Sequence, residues 1–208
     1  MVDAGMRKQP TQKRSGEMVA ALLEATAQEL GARGLDGLTT NHVAQRAGAS
    51  IGSLYQYFAN KEALIEALMQ QQARQLMEVV YLRLRPLLDC DVRTATRAVL
   101  QGVFEQVEQD KGQRELVRNW HRLQSGKLFQ SLERDMSEVC QHYLMRHAHE
   151  YRIDNLPATL FVLVNSVQYT TACYFSQDQQ LLTRDEVIES MALMVEAFCL
   201  PRQAGGQP

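Results

Sequence analysis

Between Pro10 and Pro157 the chain contains a single proline, Pro86, and its apolar residues recur every three or four positions rather than every second one. Proline removes a backbone donor and clashes with the preceding turn, so long proline-poor stretches of this period favour helices. Val19, Leu22, Leu23, Ala27 and Leu30 share one helical face. Leu64, Leu68, Leu76, Val79 and Val80 do the same with slippage along a longer helix, and Val187, Met191, Met194, Val195 and Phe198 repeat the pattern. No alternating β-branched run competes with them, and the expected fold class is all-α. Helices are expected at about 11–33, 40–47, 51–57, 61–85, 92–109, 113–124, 127–150, 156–176 and 184–200, with stops at Gly34, Gly48 and Pro86. The tail PRQAGGQP is polar and rich in Gly and Pro, and is expected to be disordered.

With 208 residues, 45% of them hydrophobic and 22% charged, the chain has enough apolar material for a real core. A net charge of -2 argues against a protein that coats itself in nucleic acid along its whole length. The charge is uneven, however. Residues 1–61 carry seven Lys or Arg against five Asp or Glu, and residues 62–208 carry fifteen against nineteen. Within 39–61 the only formal charges are Arg46 and Lys61. Cys90, Cys140, Cys173 and Cys199 form no CxxC pair, which suits reduced, buried thiols. The N-terminus has no apolar segment of the secretory type. The apolar stretch 156–174 is broken by Asn165, Ser166 and Gln168, too polar for a membrane span. The expectation is a cytoplasmic protein with no membrane partner.

The most informative segment is LTTNHVAQRAGASIGSLYQYFANKEAL, residues 38–64. Thr39 or Thr40 can cap a short helix whose apolar face is Val43, Ala44 and Ala47. Gly48-Ala49-Ser50 makes a tight turn, with Ser50 placed to cap a second short helix from which Leu54 points inward, backed by Phe58. Two short helices joined by a glycine-bearing turn form a helix-turn-helix, whose second helix enters the DNA major groove. Its outward residues would be Ile51, Gly52, Ser53, Tyr55, Gln56 and Tyr57. Gly52 lets the backbone come close, Ser53 and Gln56 can bond base edges, and Ile51 can touch a thymine methyl. The hydroxyls of Tyr55 and Tyr57, together with Thr40 and the ammonium of Lys61, can reach phosphates. Lys8, Lys13 and Arg14 form a basic arm that could follow the backbone or a minor groove.

The segment 15–70 resembles the DNA-binding signature of the tetracycline-repressor (TetR) family of bacterial transcription regulators. Thr39-Thr40, Val43-Ala44, Ala47-Gly48, Ser50, Gly52, Leu54-Tyr55, Tyr57-Phe58 and Lys61 fall in register with it, while Ala49 stands where valine is commoner. The resemblance implies an all-α homodimer with an N-terminal DNA-binding domain (residues 1–60) and a larger domain (61–208) for effector binding and dimerisation. It implies DNA-contact roles for Thr40, Asn41, Ser50, Ile51, Gly52, Ser53, Tyr55, Gln56, Tyr57 and Lys61. Asn41, Ile51, Ser53 and Gln56 stand where the family varies, and are expected to set operator preference. The implied partners are double-stranded DNA carrying a palindromic operator, a second copy of the chain, and a small-molecule effector that releases the protein from DNA. The last two long helices are expected to build the dimer interface, and the helix from Lys61 to Arg85 to act as the lever.

The rest of the chain carries no comparable signature. Trp120, His121, Cys140 and Tyr143, with Phe161, Asn165 and Tyr169 at four-residue spacing, are candidate walls for an amphipathic effector; ordinary core or dimer interface is the plainer use of the same residues. His142, His147 and His149 are spaced poorly for one metal and read as solvated side chains. No nucleophile–base pair, metal set or phosphate-cradling glycine loop is present in the sequence, so neither catalysis nor a cofactor is expected. A small helical enzyme using His121 and Cys140, or a ligand-binding protein without DNA binding, is the alternative.

Overall fold

The computed structural model describes residues 13–200 except 121, 124–125, 152 and 178–180. The expected tail disorder falls outside the described residues. Among those described, every regular element is helical: α1 (Lys13–Gly37), α2 (Thr40–Arg46), α3 (Ile51–Tyr57), α4 (Lys61–Leu84), a 3-10 turn (Arg85–Leu87), α5 (Val92–Gln109), α6 (Lys111–Arg118), α7 (Gly126–Arg146), α8 (Leu156–Ser176) and α9 (Arg184–Cys199). Polar side chains start most of them. Asn60 Oδ1 accepts from the Ala63 amide at 2.8 Å, Asp91 from Thr94 at 2.9 Å, Asp110 from Gln113 at 2.9 Å and Asn155 from Ala158 at 3.2 Å. Thr183 and Glu186 form a reciprocal capping box at α9.

The described chain divides into two compact units. The first holds the residues up to Gln75 together with Val107–Leu128; the second holds Leu76–Gln106 and the residues from Phe129 onward. The first unit takes in α4 as far as Gln75 and the whole of α6.

In the first unit, Leu22, Leu30, Leu38, Val43, Leu54, Phe58, Leu64 and Leu68 are fully buried around one centre. α6 lies so close against α1 that a Cβ on Gly112 would sit 2.4 Å from the Ala27 carbonyl oxygen. The helical path of α1 breaks at Gly34, whose φ of 69° is open to glycine at little cost. The segment after that break is tied from three sides. The Glu115 carboxylate accepts from the Leu35 amide at 3.3 Å, Lys61 Nζ donates to the Leu35 carbonyl at 3.0 Å, and Arg122 pairs with Asp36 at 2.6 Å.

The second unit packs the end of α4 with α5, α7, α8 and α9. The Phe104 ring packs against both Tyr174 and Phe175, with centroids 5.2 and 5.1 Å away. Glu189 on α9 accepts from both Arg93 and Arg97 on α5. His147, expected in solvent, is instead buried: its ring meets the Leu88 carbonyl at 2.9 Å and the Glu150 carboxylate at 3.2 Å, and stacks on Tyr143.

Candidate nucleic-acid interface and ligand cavity

Short helices are unstable alone, so α2 and α3 depend on their caps and on the side chains they bury. Thr39 Oγ1 accepts from the His42 amide at 3.2 Å, and Ser50 Oγ accepts from the Ser53 amide at 3.0 Å. Val43, Ala44 and Leu54 anchor the pair on α1 and α4. Gly48 takes φ 65° in the connecting turn, the left-handed value at which a side chain is strained. One face of α3 is thereby locked inward, and the other must point away.

The outward face holds the expected residues. Gly52 and Gln56 are exposed, as are Asn41 and Ser50, while Ile51 is 39% and Tyr55 41% exposed. Ser53 is half-buried and shares a 2.9 Å hydrogen bond with the Ser50 hydroxyl. The half-buried Thr40 hydroxyl shares one of 3.1 Å with the Tyr55 hydroxyl, which ties the start of α2 to α3. Tyr57 is half-buried on the core and its hydroxyl accepts from Ser15 at 3.3 Å. Lys61 is half-buried, with one donor engaged by the Leu35 carbonyl.

The electrostatics differ from the sequence count. Arg46 donates to the Glu29 carboxylate, which also pairs with Arg33 at 2.7 Å. The Arg46 guanidinium, seconded by Arg33, outweighs burial and holds the Glu29 carboxyl below its ordinary range. Arg46 is thus paired within the chain while its side chain stays 41% exposed, and the face relies on hydroxyls, amides and Lys61 more than on a field of charge. Lys8 lies outside the described residues, as do the side chains of Lys13 and Arg14.

The second unit holds a partly open cavity of about 120 Å³. All five helices of the unit contribute, with Val80 from α4, Val99 from α5, Cys140 from α7, Val164 from α8 and Cys199 from α9 among the walls. Cys140 and Tyr143, singled out from the sequence, line it. Trp120, Phe161, Asn165 and Tyr169 are not among its walls. Phe161 and Tyr169 are 60% and 58% exposed, and Asn165 donates to the Phe161 carbonyl at 2.8 Å. The reason is helical phase: Leu160, Leu163, Val164, Val167 and Gln168 form the α8 wall, and the 161/165/169 stripe is displaced around the helix from them. Trp120 is half-buried in the turn after α6, in the first unit, and His121 lies outside the described residues. α8 is apolar on most sides, so no apolar stripe marks its inward face in the sequence; Gln168, one turn after Val164, is the signal that could have found it.

Among the described residues no cluster of three or more His, Cys, Asp or Glu could hold a metal ion, and no helix is long and apolar enough to cross a membrane.

Residues 22–68 match the sequence profile of "Bacterial regulatory proteins, tetR family". The chain is 34% identical over 87 residues to the HTH-type transcriptional regulator BetI of Cronobacter sakazakii, covering 42% of this chain and 43% of that protein. It is 32% identical over 130 residues to BetI of Burkholderia cenocepacia, covering 62% of this chain and 63% of that one. The match thus spans less than half of the first relative and under two thirds of the second. A TetR-family transcriptional regulator from Streptomyces coelicolor has a similar structure, with a TM-score of 0.63 and 25% identity over 87% of this chain and 96% of that one.

Proposed function

We propose that the chain, whose residues 22–68 match the profile of tetR-family bacterial regulatory proteins, is a ligand-responsive, DNA-binding repressor of transcription of that family. Thr40, Asn41, Ser50, Ile51, Gly52, Ser53, Tyr55, Gln56, Tyr57 and Lys61 form the DNA-contacting set. Ile51 and Gln56 read base edges from the exposed face of α3, while Thr40, Tyr55 and Lys61 hold phosphates.

The observation that carries this reading is Gly52. It stands inside a seven-residue helix with no positive φ, and a Cβ there would meet only the Ser50 hydroxyl, at 3.8 Å. Glycine weakens a helix, and nothing among the described residues requires it here. A backbone approached closely from outside supplies the reason, as a duplex in contact with α3 would.

One such helix contacts few base pairs, so two copies reading half-sites about 34 Å apart suit the task. α8 and α9 offer the surface for pairing: Phe161, Val162, Tyr169, Leu193 and Phe198 are all at least 43% exposed. An apolar face of this kind favours association. The cavity of the second unit takes the effector. The effector shifts the equilibrium toward a form with less affinity for the operator, by its own preference between the two forms. α4 carries both Lys61 and the cavity residues Val80 and Leu84, and provides the continuous element between them.

A gel-shift titration with the DNA upstream of the protein's own gene tests the proposal. Lys61→Ala should weaken binding and lower the slope of log affinity against log salt by about one. Full affinity and an unchanged slope would remove Lys61 from the interface; no shift with that DNA or with any genomic fragment would remove the function.

A further inference from the structure

The cavity walls restrict what they accept. Among the described residues lining it, none is Asp, Glu, Lys, Arg or His. The thiols of Cys140 and Cys199 stay protonated, since burial pushes each up to about 11. The Tyr143 hydroxyl is engaged by the Cys90 carbonyl. The Thr96 hydroxyl also lines the walls, and one fully buried donor there is left over: the Gln168 side-chain nitrogen finds no acceptor. It stands at the end of the apolar α8 wall formed by Leu160, Leu163, Val164 and Val167.

A carboxylate or an ammonium entering such walls would lose its water shell and gain no counter-charge. A hydrocarbon loses nothing there, and an acceptor placed against Gln168 satisfies an amide that otherwise stays unpaired. The volume of about 120 Å³ is close to that of the dry engineered cavity, about 150 Å³, that takes up benzene.

We propose that this cavity binds an uncharged, mostly hydrocarbon molecule, about one substituted aromatic ring in size, carrying a hydrogen-bond acceptor of the ketone, ester or ether type that the Gln168 amide meets. The inference rests on reading the cavity as the effector site, but its chemistry can be tested without DNA.

The test is calorimetry on the full chain with four probes of matched size: acetophenone, ethylbenzene, benzoate and benzylammonium. Acetophenone should bind, ethylbenzene should bind about tenfold more weakly for want of the hydrogen bond, and the two ions should not bind at the same concentrations. Gln168→Leu should erase the preference for the ketone while leaving ethylbenzene binding intact. Val164→Phe, which fills the cavity, should abolish both. An ion binding as tightly as acetophenone, no binding by either neutral probe, or a ketone preference that survives Gln168→Leu would each overturn the proposal. The wild-type panel and Gln168→Leu decide the matter even if Val164→Phe does not fold. Should acetophenone bind as described by a chain that holds no DNA, the regulator reading falls and the ligand chemistry stands. A chain that holds DNA but takes up only the charged probes keeps the regulator reading and loses the ligand chemistry.

Discussion

A methyl group added at Gly52 would have open space around it, and alanine is the better helix former. Gly52→Ala should therefore hold or slightly raise the melting temperature, by up to about 1 kcal/mol of stability, while weakening DNA binding severalfold. Thermal melts and DNA titrations on one preparation separate the two effects; loss of stability with unchanged affinity would make the glycine structural. Glu29 behaves in the opposite way, as a residue of the fold. Its side chain is 4% exposed and its carboxyl is held low, chiefly by Arg46. A depressed carboxylate contributes stability above its ordinary value of 4.5, and that contribution is lost as the pH falls through the lower folded value. Glu29→Gln should cost about 1–2 kcal/mol at neutral pH and flatten the acid limb of the stability curve, as urea melts between pH 3 and 7 would register. The exposed residues of α3 were legible in the sequence because each neighbour of Leu54 and Phe58 has its direction fixed by the helical period. The commitment of Arg46 was not, because its partner lies seventeen residues earlier on another helix.

Among the elements, the bounds of α3, α5 and α8 coincide with those read from the sequence, since caps and breakers stand at their ends. α6 and α7 end earlier than expected. Asn119 closes α6, its side-chain amide donating to the Glu115 carbonyl at 2.9 Å, and α7 gives way where His147 turns to the Leu88 carbonyl. Both stops are tertiary or side-chain contacts that no periodicity announces. The closeness of α1 and α6 is equally invisible in sequence, where nothing distinguishes Gly31 and Gly112 from other glycines. Gly112→Val would drive its side chain into the Ala27 backbone and should cost about 1–3 kcal/mol, with a lower Tm in a thermal melt as the readout. A Tm unchanged from wild type would mean the two helices have room to separate. Gly48→Ala places a side chain at φ 65° and should cost about 1 kcal/mol or more.

For the whole molecule, the half proposed to bind DNA was readable because contact with a duplex would impose particular residues at particular places. The larger half had only its apolar content to offer, and the stripe expected to form a ligand wall faces outward. That exposed face leads to an expectation: Phe161→Glu combined with Tyr169→Glu should lower the sedimentation coefficient from dimer to monomer and reduce operator affinity together, while an unchanged coefficient would exclude α8 from the interface.

The most direct measurement is the affinity of the purified chain, and of its Tyr55→Ala form, for the genomic fragments that the wild-type protein selects. Wild type should bind with an affinity that falls steeply with salt, and Tyr55→Ala, at the same melting temperature, should bind at least about tenfold more weakly. A chain that selects no fragment, or a Tyr55→Ala form that binds as tightly as wild type, would contradict the docking of α3 on DNA.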